Sequence, residues 1–140
     1  MDYLDTSLIV ASVSREHKSP DIQAWFATQP AGGLCTSPWA ITEASSALAM
    51  KRRAGSIAED DWRRALDTIQ MLIDEILIVE PVRDSHYYTA ARFADRIETK
   101  LRSGDALHMA VAQSINARVC TLDKVFAAAG PIIGVRTLLL

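Results

Sequence analysis

The chain has 140 residues, of which 49% are hydrophobic and 23% charged, and its formal net charge is -2. This length predicts one domain with its own core over residues 1–140. The slight negative charge excludes nucleic-acid binding by bulk positive charge, so such binding would need a local basic patch or a bound metal ion. Cys35 and Cys120 are the only cysteines, lack the spacing of zinc ligands, and are expected to be reduced and buried.

The N-terminal segment has neither a basic region nor a long apolar run, and Asp5 interrupts it early. These features predict a cytoplasmic protein with no signal peptide and no membrane span.

The first quarter of the chain alternates strand and helix patterns. "DYL" predicts a short strand at 2–4, and "DTSLIVASVSR" predicts a helix over 5–15. A second helix is expected over 19–30, and "AGGLCTS" predicts a turn followed by a short buried strand within 31–37.

A helical hairpin is predicted over 37–74. Its first helix spans 37–55, with Ser37 able to cap it and Gly55 able to stop it. Its second helix begins near Ser56, which has capping-box spacing to Glu59. An apolar stripe follows the second helix, formed by Trp62, Leu66, Ile69 and Ile73.

The second half of the chain continues the alternation. The expected elements are a strand over 75–82, an amphipathic helix over 84–101, a nearly all-apolar helix over 103–116, a strand over 117–123, a short helix over 124–130 closed by Gly130 and Pro131, and a last strand within 134–140. Short apolar strands alternating with helices predict an α/β fold, a three-layer α/β/α sandwich with a small, mainly parallel sheet.

Four acidic residues fall where such a sheet binds its ligands, outside the carboxyl ends of the strands. Asp5 ends the first strand and Asp123 ends the fourth. Glu43 lies in the second turn of the helix after the second strand, and Asp105 lies in the first turn of the apolar helix.

Taken singly, three of these acids have an ordinary structural explanation. Asp5 and Asp123 could be helix N-caps, and Asp105 could favour a helix dipole. Glu43 is harder to explain in this way, because it lies on an otherwise apolar helix face where a lone carboxylate must neutralise, pair with a cation or bind metal. An arginine from elsewhere in the fold remains an open alternative.

Several carboxylates at one sheet edge repel one another unless a cation lies among them. Their oxygens suit Mg²⁺ or Mn²⁺, which polarise phosphoryl groups and activate water. The joint pattern therefore predicts metal-dependent phosphodiester hydrolysis without choosing RNA over DNA.

Four segments carry a resemblance to a known family: "YLDTSLIVA", "ITEASSALA", "SGDALHMAVA" and "VCTLDKVFA". In this order and at these intervals they resemble the PIN-domain family, and more narrowly the VapC-like toxins of bacterial toxin–antitoxin pairs. The resemblance spans essentially the whole chain. It implies a parallel α/β/α sandwich and Mg²⁺- or Mn²⁺-dependent endoribonuclease activity.

The resemblance also implies roles for the acids. Asp5 and Asp105 match the positions of magnesium ligands, and Asp123 would complete the cluster directly or through water. Glu43 would position a ligand water or help to activate the nucleophile. Three neighbouring hydroxyls could orient the acids, those of Thr6, Ser7 and Thr121.

The partners that the resemblance implies are an RNA substrate, a small VapB-like antitoxin that covers the acidic groove, and a second copy of the chain. The apolar helix face of residues 56–74 is a candidate dimer surface. Lys100 and Arg102 precede the Asp105 motif and are candidates for RNA-backbone contacts. Lys51–Arg53 more simply complement a helix C-terminus, and His108 is expected to be a hydrogen-bonded core residue.

Two other functions remain open. Asp5 could be a covalent nucleophile in a haloacid-dehalogenase-like phosphoryl-transfer enzyme, although Ser7 stands where those proteins need a second aspartate. Alternatively, the chain could be a non-catalytic PIN-like module that binds RNA or protein, although it keeps all four acids.

Overall fold

The computed structural model describes residues 1–14 and 19–140 of the chain, without the side chain of Ser19. Its five strands are β1 (Asp2–Leu4), β2 (Leu34–Thr36), β3 (Ile78–Val79), β4 (Arg118–Thr121) and β5 (Thr137–Leu139). Its seven α-helices are α1 (Thr6–Val13), α2 (Ser19–Ala27), α3 (Pro38–Arg53), α4 (Glu59–Glu75), α5 (Asp84–Ala94), α6 (Ser103–Ser114) and α7 (Lys124–Ile132). The end of the first predicted helix, Arg15, lies outside the described residues.

All strand pairs are parallel, and the strand order is β3-β2-β1-β4-β5. The chain first builds the sheet outward from β1 through β2 to β3, and then returns to the other side of β1 with β4 and β5. The point where the order reverses lies between β1 and β4. A crevice outside the carboxyl ends of these two strands is where open α/β sheets bind ligands.

Alternate strand residues pack on opposite faces of the sheet. Leu4 and Cys120 join a cluster with α1 to α4, whereas Tyr3 and Val119 join one with α6 and α7. This period of two follows from strand geometry. The predicted three-layer α/β/α sandwich is therefore confirmed, and α5 completes it by packing on α6.

The nearly all-apolar pattern of residues 103–116 predicts a buried helix, and both this helix and the cysteines are buried as predicted. Seven consecutive residues of α6, 106–112, are buried. Cys35 and Cys120 are free thiols in the core, and burial raises the pKa of each to about 12. In the part of the chain that the structure describes, no helix is long and apolar enough to cross a membrane.

The helical hairpin forms, but the capping prediction for its second helix is wrong. Ser37 caps α3 as expected, and Gly55 follows that helix at φ 72°. Helix α4 has Ala58 as its N-cap, without a side-chain hydrogen bond. The Ser56 hydroxyl and backbone N–H instead both donate to the Lys51 carbonyl oxygen at the end of α3, at 2.9 and 3.0 Å.

The apolar stripe of α4 was a candidate dimer surface, and this prediction is wrong. Ile69 is buried, and Trp62, Leu66 and Ile73 pack against the core that α4 shares with α1 and α3. The apolar face of residues 56–74 is therefore covered within the chain.

Other element boundaries also differ from prediction. The helix expected over 84–101 ends at Ala94, and a 3₁₀ turn at Ile97–Thr99 follows, closed by Lys100 in the left-handed conformation at φ 58°. The strand expected over 75–82 shrinks to β3, since α4 continues to Glu75.

Gly130 and Pro131 do not end α7, which continues to Ile132. Gly130 is instead needed for close packing, since a Cβ there would overlap Thr137 of β5.

Candidate active site

All four predicted acids line one open groove of about 610 Å³ at the carboxyl ends of β1 and β4. Asp5 immediately follows β1, and Asp123 follows β4 after one intervening residue. Glu43 reaches the groove from α3, and Asp105 reaches it from the first turn of α6. The parallel order of the sheet brings these sequence-distant residues to one edge.

Asp5 is held rigidly at the base of this groove and is only 5% exposed. Its Oδ1 accepts hydrogen bonds from the Ser7 hydroxyl at 2.7 Å and the Leu8 N–H at 3.0 Å. Its Oδ2 accepts one from the Thr121 hydroxyl at 2.5 Å. Burial raises the pKa of Asp5, and these hydrogen bonds only partly oppose the effect.

The hydroxyls beside Asp5 also tie the two halves of the sheet edge together. Thr121 Oγ1 accepts the Asp123 N–H at 2.9 Å while donating to Asp5. Ser7 Oγ accepts the Leu122 N–H at 2.9 Å. The turn after β4 is therefore fixed relative to Asp5, and so is the position of Asp123.

Glu43 is half-buried and is oriented by two donors. The Thr6 hydroxyl lies 2.6 Å and His108 Nε2 lies 2.8 Å from the same oxygen, Glu43 Oε2. Burial opposes ionisation of Glu43, but the hydrogen bonds from His108 and Thr6 outweigh it and lower the pKa of this carboxyl. Glu43 is therefore a carboxylate at neutral pH.

Asp105 and Asp123 both bind backbone N–H groups at helix starts. Asp105 Oδ2 accepts the Arg102 N–H at 3.1 Å. Asp123 Oδ1 accepts the N–H groups of Val125 and Phe126 at 2.7 and 3.0 Å, so Asp123 is an N-cap, as Asp5 is. Within residues 1–14 and 19–140, the second oxygen of each, Asp105 Oδ1 and Asp123 Oδ2, accepts no hydrogen bond.

The PIN domain family profile matches residues 3–130, almost the whole chain. The chain belongs to the PIN-domain family. No curated protein sequence matches it.

Solved structures support the fold of this PIN domain. VapC20 of Mycobacterium tuberculosis, described as a sarcin–ricin loop cleaving toxin, is 22% identical with a TM-score of 0.75, and the match covers 93% of this chain and 95% of that one. FitAcB of Neisseria gonorrhoeae is 16% identical with a TM-score of 0.73, and the match covers 99% and 96%. VapBC-5 of M. tuberculosis, a toxin–antitoxin family member, is 22% identical with a TM-score of 0.64, and the match covers 99% and 98%.

The donor set of this PIN domain fits a hard divalent cation. Carboxylate oxygens are the ligands that Mg²⁺ and Mn²⁺ prefer, and the hydrogen bonds of Asp105 and Asp123 leave one oxygen of each for a further ligand. In the described part of the chain, no three Asp, Glu, His or Cys side chains converge closely enough to form a complete metal site. Mg²⁺ tolerates such spacing because it keeps several waters and binds through one or two carboxylates.

The predicted basic contacts do not line the acidic groove. Lys100 is exposed and lines a neighbouring groove of about 270 Å³, together with Lys124. Arg102 is also exposed, and its contact with Asp105 is through the backbone N–H. Lys51–Arg53 occupy the last turn of α3, where cations complement the helix dipole.

Sequence reasoning overlooked two features of the site. His108 is buried as expected, but its partner is Glu43. Gly104 lies beside Glu43, and a Cβ at that position would come 2.7 Å from Glu43 Oε1. The sequence signal for this close approach is the glycine of the "SGD" tripeptide, at the start of α6, because glycine is ordinarily disfavoured within a helix.

Proposed function

We propose that this PIN domain is a Mg²⁺- or Mn²⁺-dependent endoribonuclease and the toxin of a toxin–antitoxin pair. The observation that carries the proposal is the convergence of Asp5, Glu43, Asp105 and Asp123 on one groove at the switch point of the sheet. Family membership supports nuclease chemistry at these acids. VapC20, which has the same fold, is described as a sarcin–ricin loop cleaving toxin, and this supports RNA as the substrate.

The four acids would have different roles in catalysis, and the surroundings of each acid determine its role. Asp5 and Asp105 would hold the cation, and Asp123 would complete the site directly or through water, with Asp5 fixed by its three hydrogen bonds. When bound, a divalent cation stabilises the charge that develops on the phosphate and lowers the pKa of water. Glu43 would accept a proton from the attacking water, because its lowered pKa keeps it ionised and the hydrogen bonds from Thr6 and His108 to Oε2 hold the carboxylate in place at the groove.

Phosphodiester hydrolysis needs the attacking water in line with the leaving 3′- or 5′-oxygen. The groove is open and has a volume of about 610 Å³, and a phosphodiester strand would lie across the acids that line it. The grooved surface at Lys100 and Lys124 lies beside the segments that carry Asp105 and Asp123, and these lysines would contact the RNA backbone next to the site. The chain would therefore bind RNA through this local basic surface, despite its net charge of -2.

The proposed partner is a small antitoxin. FitAB and VapBC structures with this fold are complexes, and some of them are bound to DNA. A groove lined by four acids would attract a basic side chain from such a partner. A homodimer stays a prediction from the family resemblance, without the residue 56–74 surface, and light scattering of the purified chain tests it.

The test of the nuclease proposal is cleavage of total bacterial RNA by the purified chain with Mg²⁺ or Mn²⁺. Asp5→Asn removes a proposed ligand while keeping the shape of the side chain. Burial disfavours the ionised form of Asp5, so replacing it by a neutral asparagine removes a buried charge, and the variant is expected to fold in the absence of metal. The matched control is Asp95→Asn, which neutralises an exposed aspartate at the end of α5.

Under the proposal, the parent and Asp95→Asn cut RNA at the same sites, EDTA stops both, and Asp5→Asn does not cut. Equal cleavage by Asp5→Asn and the parent would refute it. A non-catalytic module is the second candidate, since the described residues hold no three metal-binding side chains in a closed cluster. That candidate predicts RNA binding without any cut.

A further inference from the structure

A chain of hydrogen bonds joins Glu43 to the interior of the sheet. Ser37 Oγ lies 2.7 Å from the Tyr3 hydroxyl, which lies 2.9 Å from His108 Nδ1. On the other side of the ring, His108 Nε2 lies 2.8 Å from Glu43 Oε2. The chain therefore connects the N-cap of α3, the middle of β1 and the centre of α6 to one oxygen of a proposed catalytic carboxylate.

The direction of the protons follows from the Glu43 end of this chain. A carboxylate oxygen only accepts, so His108 Nε2 carries the proton that faces Glu43 Oε2. In the neutral ring Nδ1 is then bare and accepts from the Tyr3 hydroxyl, whose oxygen accepts from Ser37; Ser37 Oγ in turn accepts the Ala40 N–H as the N-cap of α3. An imidazole whose Nδ1 accepts a hydrogen bond carries its proton on Nε2, and that proton points at Glu43.

The ring of His108 has little freedom to turn away. His108 is 3% exposed and Tyr3 is fully buried. The Tyr3 ring packs edge-on against the imidazole at a centroid distance of 5.7 Å, and Phe126 lies on another side at 6.2 Å. Packing fixes the ring plane and Tyr3 fixes the tautomer, so the Nε2–H direction is set before substrate arrives.

We infer that His108 is a positioning residue for Glu43, held as the Nε2–H tautomer by Tyr3 and, through Tyr3, by Ser37. This inference rests on the proposed nuclease function. His108 and Thr6 both donate to Oε2 and thereby fix the orientation of the Glu43 carboxylate at the groove. His108 does not touch the reacting atoms, because its Nε2 is already bonded to Glu43 and its Nδ1 to Tyr3.

Two pairs of variants separate positioning from simple packing. Tyr3→Phe keeps the buried ring and removes only the hydroxyl that sets the tautomer. His108→Gln places an amide N–H near the Nε2 position, facing Glu43, whereas His108→Asn places its amide near Nδ1, facing Tyr3. The matched control is His86→Gln, because His86 is also buried and its Nδ1 also accepts a hydrogen bond, from the Arg83 N–H, but it lies outside the acidic groove.

The first readout does not depend on catalysis. Long-range ¹H–¹⁵N spectra of histidine-labelled protein distinguish protonated from unprotonated ring nitrogens, and the His86→Gln and His108→Gln spectra assign the signals. The expected result is a protonated Nε2 and a bare Nδ1 for His108, with the His108 signals shifted in Tyr3→Phe and the His86 signals unchanged. A His108 ring that is protonated on Nδ1 would overturn the inference.

The second readout is kcat and KM with Mg²⁺, on the oligoribonucleotide that spans the strongest cut site mapped in total RNA. Loss of a group that orients a catalytic residue costs about 10- to 100-fold in activity. Tyr3→Phe and His108→Asn should lose this much in kcat with little change in KM, and His108→Gln should recover part of the loss. His86→Gln should behave like the parent.

The outcomes distinguish the inference from the function on which it rests. If the parent cuts RNA and both Tyr3→Phe and His108→Asn keep its kcat, the His108 assignment is overturned and the nuclease proposal stands. If His108→Gln and His108→Asn lose kcat equally, His108 serves packing alone and the inference also fails. If the parent itself cuts no RNA with either metal, the nuclease proposal fails and the positioning role fails with it.

Discussion

Gly104→Ala should slow catalysis without weakening the fold. The added Cβ would lie 2.7 Å from Glu43 Oε1 and 3.4 Å from Trp39 Nε1. Since an ordinary contact begins near 3.4 Å, the Glu43 carboxylate must retreat by about 0.7 Å. It cannot do so without stretching the 2.6 and 2.8 Å hydrogen bonds from Thr6 and His108 to Oε2.

The two consequences of this substitution have different magnitudes. Misplacing a catalytic group by about 1 Å costs about 100-fold in rate, so kcat should fall by about 10- to 100-fold. The free energy of unfolding should change by less than about 1 kcal/mol, because the better helix propensity of alanine offsets the weakening of the two Glu43 hydrogen bonds. The assays are kcat with Mg²⁺ and the thermal midpoint without metal.

A double-mutant cycle checks that the effect acts through Glu43. In the Glu43→Ala background there is no carboxylate to displace, so adding Gly104→Ala should not slow the enzyme further. The reasoning is refuted if Gly104→Ala keeps the kcat of the parent. It is also refuted if Gly104→Ala slows the Glu43→Ala enzyme by the same factor as it slows the parent.

Three further predictions concern stability, thiol chemistry and RNA binding. Leu48→Ala should lower the free energy of unfolding by about 2–5 kcal/mol, because the Leu48 side chain on α3 is fully buried in the core. Urea denaturation measures this change. Cys35 and Cys120 should resist a thiol reagent at pH 8 until denaturant is added, since burial raises both thiol pKa values to about 12. Rapid labelling of either thiol in the native protein would contradict the fold. The double variant Lys100→Ala/Lys124→Ala should weaken RNA binding for all sequences alike. The slope of the logarithm of the RNA-binding constant against the logarithm of the salt concentration should become shallower by about 0.7 for each phosphate that the lysines neutralise. An unchanged slope would show that these lysines do not contact the RNA backbone.

The position of the acids at the sheet edge could be predicted because the sequence patterns that determine it are local. Each of Asp5 and Asp123 follows a short apolar strand, and the parallel order puts their carboxyl ends together. The same local reasoning identified Ser37 as a cap and the helix of residues 106–112 as buried. Family motifs then connected acids that are up to 118 positions apart in the chain.

The features that the sequence did not reveal are those that depend on long-range contacts. The Tyr3–His108 contact spans 105 positions, and no periodicity predicts which buried tyrosine meets which buried histidine. The stripe on α4 illustrates a different gap, since amphipathicity identifies an apolar face but not its partner. The structure shows that α4 packs against this chain's own core, which the pattern of Trp62 to Ile73 could not distinguish from a dimer surface.

The most direct test of the account is the binding of Mn²⁺ to the metal-free protein, measured by titration calorimetry and by electron paramagnetic resonance of free Mn²⁺. The account predicts that the parent and Asp95→Asn bind Mn²⁺, that Mg²⁺ competes, and that Asp5→Asn and Asp105→Asn lose most of the affinity while keeping the fold. Absence of binding by the parent at millimolar Mn²⁺, or equal binding by Asp105→Asn, would contradict the claim that these acids form a metal site.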